Sequence, residues 1–348
     1  MALLKGMQER YAVIALGGNA ILRKGQSGEP SNQMANIRVA IDNLAPALER
    51  YRSFALSHGN GPQAGFDLIR SYLANREEGL PELGLADIVA NTEGRIGHWI
   101  LREMKNHPSF RNHPVACIMT HVYVEKNEFT PDEYTKYVGP WRPNTPQIRE
   151  KLENRGIVYR IPEGQTEKLR QVVPSPKPTG INEFRIIANL LEYGTVTICC
   201  GGGGIPVFDP WHGRDRDNLS IDRFQQAHVV IDKDRASSLL ASRLLNRFPD
   251  ADVELVILMD ANGLYRDSRC REQDFIPKMT LAELEDFIEN TSLDKGTILP
   301  KLEAIRDFLS AGGDTAYLGP LENFKQIFDP AHPVGTTFVQ TDQLGLYE

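Results

Sequence analysis

The sequence predicts an α/β protein in which a mainly parallel β-sheet carries helices on both faces. Seven short apolar runs, several of them rich in β-branched residues, have the composition of buried strands. Amphipathic segments with a helical period lie between most of these runs. Because neighbouring parallel strands need a crossover connection, usually a helix, alternation along the whole chain favours a parallel sheet.

The predicted strands are short and are spread along most of the chain. They are AVIAL (12–16), SFALS (53–57), VACIM (115–119), TVTICC (195–200), LVILM (255–259), TAYL (315–318) and TTFV (336–339). Nearly continuous apolar runs of this kind suit strands that are covered on both faces. They therefore define the central sheet of the predicted fold.

Two of the segments between strands show the helical period clearly. Segment 181–193 repeats apolar side chains at Phe184, Ile187, Leu190 and Leu191. Segment 234–245 does so at Ala236, Leu239, Leu240 and Leu244. Residues 125–180 differ, since they are rich in proline and charge and show little periodicity. We interpret 125–180 as a protruding lid subdomain, here called the lid segment, within one domain that spans residues 1–348.

Composition and charge argue against several classes of function. A chain of 348 residues can bury a sizeable core, as one large domain or as two lobes. Lys and Arg number 39 against 46 Asp and Glu, and the resulting net charge of −7 argues against nucleic acid or a membrane surface as the main partner. No uninterrupted apolar stretch in the sequence approaches the length of a membrane span.

The cysteines and the first residues indicate a cytoplasmic protein. Cys117, Cys199, Cys200 and Cys270 form no C-x-x-C pair. Cys199 and Cys200 lie in an apolar run, as is typical of small core residues. The first ten residues lack the apolar core of a signal peptide. We therefore expect a reducing, cytoplasmic compartment.

Three predicted strands end in glycine, and these ends suggest where the chemistry lies. The first loop is LGGNA (16–20), the second loop is SHGNGPQ (57–63) and the third loop is CCGGGGIPV (199–207). Ligands of open α/β sheets bind beyond the carboxyl ends of the strands. Glycine lets the backbone approach a ligand closely, and a helix that follows adds its positive end. Three such loops on one sheet edge favour a site for a polyphosphate or an acyl phosphate.

The second loop allows two further interpretations. Asn60–Gly61 is a common turn signal, and the spacing Gly59-x-Gly61-x-x-Ala64 fits a dinucleotide-binding fingerprint. The dinucleotide interpretation leaves the first and third loops unexplained. No G-x-x-x-x-G-K-[ST] motif occurs, which excludes a P-loop enzyme. His58, beside a tight turn, is interpreted as a hydrogen-bonding support for the turn and not as a general base.

Three lysines complete the predicted site. Lys233 stands between Asp232 and Asp234 directly before a helix, where one of the acids is also a helix cap. Lys301 lies in the first turn of a predicted helix, where the helix dipole disfavours a cation unless an anion binds nearby. Lys136 lies in the lid segment and could reach the same group. Phosphoryl transfer needs positioning and cations around the transferred group, so we interpret the three lysines as catalytic.

These motifs together resemble the carbamate kinases of the amino acid kinase superfamily. The matching stretches occur in the order of that family and span nearly the whole chain: VIALGGNAIL (13–22), SHGNGPQ (57–63), VVPSPKP (172–178), CGGGGIPV (200–207), VIDKDRAS (230–237), LPKLEA (299–304) and VGTTFV (334–339). The combination of SHGNGPQ with IDKD is specific. The resemblance implies a three-layer α/β/α sandwich with a mainly parallel, eight-stranded central sheet, a protruding subdomain and a homodimer.

The resemblance also implies an activity, cofactors and residue roles. The reaction is ADP plus carbamoyl phosphate giving ATP plus carbamate, with Mg²⁺ held by the nucleotide phosphates and no metal ligands from the protein, and arginine or purine catabolism as its setting. The residues that would surround the phosphoryl and carbamoyl groups are Gly17, Gly18, Asn19, Gly59, Asn60, Gly61, Gly202 and Gly203. Lys136 and Lys233 would neutralise the phosphoryl group, with Asp234 orienting the lysines. Asp260, Tyr265 and Lys301 would lie on the nucleotide side.

The sequence departs from the family pattern at three places. The lid lysine of the family lies between prolines, in P-T-K-P-I-G, whereas YTKYVG stands at 134–139 here. GTI at 296–298 replaces G-S-M, and segment 208–228 is longer than usual. These departures leave open a different acyl phosphate or carboxylate as substrate. A non-catalytic nucleotide-binding homologue and a nicotinamide oxidoreductase that uses the second loop also remain open at this point.

Overall fold

The computed structural model describes residues 9–23, 25–126, 129–161, 166–208, 225–266, 274–291, 293, 297–329 and 334–341. Cys270, Gly296 and most of segment 208–228 lie outside the described residues. The described helices are α1 (Pro30–Leu44), α2 (Ala47–Arg50), α3 (Gly61–Glu78), α4 (Leu85–Asn106), α5 (Pro146–Glu153), α6 (Phe184–Glu192), α7 (Lys233–Arg247), α8 (Leu281–Asn290) and α9 (Ile298–Ser310). Short 3-10 turns cover Gly18–Ala20, Pro131–Glu133, Gly201–Gly203 and Leu321–Phe328.

The described strands form one large sheet and three small ones. They are β1 (Arg10–Leu16), β2 (Ser53–His58), β3 (Val115–Cys117), β4 (His121–Val124), β5 (Tyr134–Pro143), β6 (Tyr159–Arg160), β7 (Lys168–Pro174), β8 (Pro178–Ile181), β9 (Val196–Ile198), β10 (Ile205–Phe208), β11 (Asp252–Met259), β12 (Leu264–Tyr265), β13 (Phe275–Ile276), β14 (Lys278–Thr280), β15 (Thr315–Pro320) and β16 (Thr336–Val339). The small sheets have the orders β10-β4-β8, β12-β13 and β5-β7-β6.

The central sheet has eight strands in the order β14-β16-β15-β11-β1-β2-β9-β3. The strands from β15 to β3 are all parallel to their neighbours, whereas β16 pairs with β15 in the antiparallel sense and β14 runs parallel to β16. All seven predicted runs are strands of this sheet, so the predicted fold class is confirmed. The sequence analysis missed β14, which is three residues long and buries only Met279.

The sheet separates two apolar cores, because successive side chains of a strand point to opposite faces. In β1, Tyr11, Val13 and Ala15 belong to one core, and Ala12, Ile14 and Leu16 belong to the other. Helices α6, α7, α8 and α9 cover the first core, and α1 and α4 cover the second. The arrangement is the expected α/β/α sandwich.

Within the lid segment, β5, β6 and β7 form an antiparallel sheet, with α5 between β5 and β6. These strands were not predicted from the sequence, because buried and exposed residues do not alternate regularly in β5 and the strand contains two prolines. Strand β5 packs closely on α3. A Cβ built on Gly65 of α3 would lie 1.8 Å from the Cα of Gly139, whose φ is +74°. Only glycine at position 65 allows this approach of the lid segment to the helix that follows the second loop.

Replacing Gly65 by alanine tests this packing. The added methyl group must push β5 away from α3, and overpacking of this kind typically costs about 1–3 kcal/mol. We expect Gly65→Ala to lower the thermal midpoint and to speed amide hydrogen exchange in residues 134–143. The control is Gly94→Ala in α4, where the nearest atom to a new Cβ is Met119 Sδ at 3.6 Å and where alanine favours the helix. Equal stability and exchange in Gly65→Ala and wild type would show that the contact does not position the lid segment.

Candidate active site

The three glycine loops meet at the carboxyl edge of the central sheet. They follow β1, β2 and β9, and β2 lies between the other two strands. A Cβ on Gly59 would lie 3.0 Å from the Cα of Gly18, which places the second loop against the first. A Cβ on Gly202 would lie 2.1 Å from Asn60 Nδ2, which places the third loop against the second. The structure therefore brings the predicted glycines together in one region.

The third loop supports its neighbours more than it offers donors to a ligand. The amides of Gly203 and Gly204 donate hydrogen bonds to the carbonyl oxygens of Cys200 and Gly201, at 3.0 and 3.1 Å. Gly202 and Gly203 have φ values of +68° and +96°, which glycine adopts without strain. A Cβ on Gly203 would lie 2.1 Å from the carbonyl oxygen of Ile231. The loop thus fills the space between Asn60 and the segment that leads into α7.

The first loop borders a cleft of about 390 Å³ that lies between the ends of β1 and β11, α1 and the turn after β15. Polar residues of its lining are Asn19, Arg23, Asn36, Asp260 and Glu322. The side-chain amide of Asn19 donates a hydrogen bond to the carboxylate of Asp260. This contact joins the first loop to the stretch after β11 and orients both side chains.

The three predicted lysines converge on two aspartates. Asp232 caps α7 by accepting the backbone N–H of Asp234 at 2.8 Å, and its other oxygen accepts a hydrogen bond from Lys136. Asp234 accepts hydrogen bonds from Lys233 and from Lys301, the latter at 2.7 Å. We call these five residues the lysine–aspartate cluster. It joins the lid segment, the start of α7 and the first turn of α9.

The lysine–aspartate cluster is buried and carries an excess of positive charge. Asp232, Lys233 and Asp234 are 5%, 8% and 2% exposed. Lys136 and Lys301 are also largely covered by the protein. Three ammonium groups face two carboxylates, so one positive charge is left without a carboxylate inside the cluster. A buried net charge is costly unless it is paired, and a phosphoryl group would pair it.

The pKa values of the cluster reflect this competition between burial and charge. Burial opposes ionisation of Asp232, but the charges of Lys136 and Lys301 outweigh it and hold its pKa below the usual value. Burial lowers the pKa of Lys233, because its two aspartates compensate the desolvation only in part. Lys301 is also desolvated, yet the charges of Asp234, Asp232 and Asp260 raise its pKa. Burial therefore disfavours the charge of Lys233, and a bound anion would favour it.

The pairing differs in two respects from the sequence analysis. Lys301 was expected to need a bound phosphate in the first turn of its helix, but the carboxylate of Asp234 lies there instead. Asp234 was expected to orient Lys136 and Lys233, but Lys136 is held by Asp232. Tyr265 lies in β12, where its ring packs 5.5 Å from that of Phe275, and no hydrogen bond or ion pair in the described part of the chain joins it to the lysines.

Two functional candidates were missed by the sequence analysis. Thr92 and Glu93 of α4 are 0% and 1% exposed and face the second and third loops. Thr92 Oγ1 accepts a hydrogen bond from Asn60 Nδ2 at 2.8 Å, and Glu93 Oε1 accepts one from the backbone N–H of Gly201 at 3.0 Å. Both occupy the buried stripe of an amphipathic helix, between Val89 and Ile96. Polar residues within such a stripe were the available sequence signal.

His58 is a support for the second loop, as the sequence analysis interpreted it. The side chain is fully buried, and Nδ1 lies 3.2 Å from the carbonyl oxygen of Gly59. Burial lowers the pKa of His58 to about 4. The imidazole is therefore neutral near pH 7.

Neither a metal centre nor a membrane-spanning helix is seen within the residues that the structure describes. No group of three or more His, Cys, Asp or Glu side chains that could hold a metal ion occurs in those ranges. No helix in the same ranges is long and apolar enough to cross a membrane.

Comparison with known proteins gives close matches over most of the chain, although no protein-family model matches it. The carbamate kinase of Halobacterium salinarum is 31% identical over 339 residues, covering 96% of this chain and 99% of the relative. The carbamate kinase of Rhizobium meliloti is 35% identical over 309 residues, covering 89% of this chain and 87% of the relative. The structure of the carbamate kinase from Giardia lamblia bound to AMP-PNP is similar with a TM-score of 0.78 and 28% identity, covering 96% of this chain and 99% of that one.

Substitutions at Asp232 can separate its two contacts. Both Asp232→Asn and Asp232→Ala remove the charge that pairs with Lys136, but asparagine still caps α7. We expect the alanine variant to be less stable than the asparagine variant by roughly 0.5–2 kcal/mol in denaturant unfolding, the usual worth of a helix cap. In both variants Lys136 should react faster with an acetylating reagent, as measured by mass spectrometry. Unchanged reactivity of Lys136 would contradict its pairing with Asp232.

Proposed function

We propose that this chain, which belongs to the carbamate kinase family, transfers the phosphoryl group of carbamoyl phosphate to ADP, giving ATP and carbamate, and catalyses the reverse reaction. The observation that carries the proposal is the lysine–aspartate cluster beside the three glycine loops. Among the residues that the structure describes, its three ammonium groups pair with two carboxylates, so the cluster offers an anion a net positive charge in a buried place. Family membership supports a phosphoryl group, in transfer between an acyl oxygen and a nucleotide, as this anion.

In the proposed reaction, the protein positions and neutralises charge. The bond between phosphorus and the carbamate oxygen breaks, and a bond to a terminal phosphate oxygen of ADP forms. Such transfers have loose transition states with charge spread over the phosphoryl oxygens, so cations and backbone donors provide most of the help. Lys233 is assigned to the phosphoryl group, because it is the most buried of the three lysines and burial lowers its pKa.

The remaining roles follow from position. Lys301 begins α9 and is assigned to the nucleotide side, together with Asp260 and Tyr265. Nucleotide binding is supported by the AMP-PNP bound in the Giardia lamblia relative. The residues assigned to the phosphoryl and carbamoyl groups are Gly17, Gly18, Asn19, Gly59, Asn60 and Gly61, with Gly202 and Gly203 behind them. Asp232 and Asp234 hold the lysines apart at fixed positions and limit their mutual repulsion.

Residues 125–180 are proposed to act as a lid over this site. Lys136 of β5 reaches Asp232, the cap of α7, and the carbonyl oxygen of Pro174 accepts the backbone N–H of Val230 at 3.1 Å. Arg170 of β7 donates a hydrogen bond to the carbonyl oxygen of Gly139 at 2.6 Å, and its Nη2 lies 4.0 Å from a Cβ built on Gly61. The lid segment thus presents two cations to the carboxyl edge of the sheet.

Four further features are proposed from family membership and composition. Mg²⁺ would be held by the nucleotide phosphates, since its hard charge suits phosphate oxygens. The chain would form a homodimer, and it would work in the breakdown of arginine or purines. Buried, unpaired Cys199 and Cys200 are in keeping with a reducing compartment, and we propose the cytoplasm.

The activity is tested by coupled detection of ATP formed from ADP and carbamoyl phosphate, with acetyl phosphate as the competing acyl phosphate. We expect turnover with carbamoyl phosphate, and Lys233→Met should lower kcat about a hundredfold or more while changing ADP affinity little. Methionine preserves the apolar stem of the side chain. Lys325→Ala is the control, since the Lys325 side chain is 77% exposed. Preference for acetyl phosphate would contradict the substrate, and near-full turnover of Lys233→Met would contradict the phosphoryl site.

A further inference from the structure

Two adjacent residues of α4 connect the helix layer to two of the glycine loops. Thr92 Oγ1 accepts the hydrogen bond from the side-chain amide of Asn60. The Thr92 hydroxyl donates a hydrogen bond to the carbonyl oxygen of Val89 at 2.9 Å. Glu93 Oε1 accepts the backbone N–H of Gly201 at 3.0 Å. Because a Cβ on Gly202 would collide with the Asn60 amide, the third loop and Thr92 confine that amide from two sides.

The carboxyl group of Glu93 is placed where ionisation is unfavourable. Glu93 is 1% exposed, and burial raises its pKa to about 8. The titratable groups that face it are the neutral His58 of β2, Cys117 of β3, Cys199 after β9 and Glu183 before α6, and none of these is a cation near pH 7. The positive charge of Lys233 acts on the imidazole of His58 and helps to lower its pKa.

The hydrogen bonds to Glu93 favour its ionised form, but they do not outweigh burial, so the pKa stays raised. Glu93 Oε2 lies 3.3 Å from the backbone nitrogen of Thr120, as the acceptor of a long hydrogen bond. The hydroxyl of Thr120 in turn accepts the backbone N–H of Cys200 at 3.0 Å. Glu93 and Thr120 thereby accept the amides of Gly201 and Cys200 in the third loop. Ionisation of Glu93 would add a buried negative charge behind the loop and would repel an anionic substrate.

We propose that Thr92 and Glu93 are positioning residues of the carbamate kinase reaction: they hold the Asn60 side chain toward the acyl phosphate, and Glu93 does so as the neutral acid. The inference rests on the proposed function for the identity of the substrate. It assigns no contact between these two side chains and the substrate, since both are buried behind the loops. It makes the site sensitive to alkali through a group that the phosphoryl chemistry does not use.

The sign of the pH effect follows from the direction of the shift. The folded protein keeps the proton on Glu93 above the pH at which the unfolded chain loses it. The protonated carboxyl group therefore contributes its full stabilisation of the fold below about pH 4.3, and this stabilisation is lost as the pH rises to about 8. Above about pH 8 the folded protein must carry the buried charge. The KM for carbamoyl phosphate should then rise, by about tenfold at pH 9 if only the protonated form binds.

The test compares the pH dependence of KM and kcat for wild type, Glu93→Gln, Thr92→Val and Thr92→Ser. Glutamine cannot ionise, so the rise of KM above about pH 8, relative to the value of the same variant at pH 7, should be present in wild type and absent in Glu93→Gln. Thr92→Val should raise KM by about 2- to 10-fold, as expected for one lost hydrogen bond, and Thr92→Ser should restore it. A parallel rise in wild type and Glu93→Gln would assign the ionisation to another group, such as Lys233, and overturn the role of Glu93. Equal KM in Thr92→Val and Thr92→Ser would overturn the role of Thr92.

A second measurement separates this inference from the proposed function. Infrared difference spectra of the wild-type protein between about pH 7 and pH 9.5 should show the loss of a protonated, buried carboxyl band. The band does not depend on turnover or on the folding of a variant. Its absence would overturn the neutral state of Glu93, whereas a lack of ATP formation by wild type at every pH would overturn the proposed function alone.

Discussion

The site depends on two ionised aspartates that are buried at the start of α7. Asp232 and Asp234 can stay charged there only because lysines from three separate parts of the chain reach them. Removing either aspartate would leave buried lysines uncompensated, which is strongly destabilising. The same need for compensation therefore brings the lid segment, α7 and α9 to one point. The cluster therefore lies at the carboxyl edge of the sheet, and its ion pairs determine how the lid segment, α7 and α9 are placed there.

The three glycine loops have different structural roles beside the lysine–aspartate cluster. The first and second loops approach each other within a few ångströms, as the contact between Gly18 and Gly59 shows. In the third loop, three of the four glycine amides donate to the backbone of the loop or to Glu93 of α4, and the loop packs against Asn60. A glycine-rich loop after a strand is thus evidence of close backbone packing and not, by itself, of anion binding. Whether it binds an anion depends on the N–H groups that remain free.

The fold could be predicted from sequence because it rests on local patterns. Every long apolar run became a strand of the central sheet, and the helical period located α6 and α7. Strand β14 was missed because three residues carry no period, and β5 was missed because it is interrupted by proline and half exposed. Lys233 and Lys301 were found because each begins a helix in a motif that resembles a known family, and Lys136 was found because it stands where that family has its lid lysine. Their partners were not, since Lys136 and Asp232 are 96 positions apart and only the fold brings them together. Thr92 and Glu93 were missed because the helical period of α4 shows which of its residues are buried but not which loops they contact.

The central claim is that burial disfavours the positive charge of Lys233 and that a phosphoryl anion bound beside it stabilises this charge. The most direct measurement is an NMR titration of the lysine side chains in protein labelled with ¹³C and ¹⁵N at lysine, with Lys233→Arg to assign the signal. In the free protein, the pKa of Lys233 should lie below that of an ordinary lysine, and AMP-PNP should move it upward because a nearby anion favours the charged form. An ordinary pKa for Lys233 that the nucleotide leaves unchanged would contradict the account.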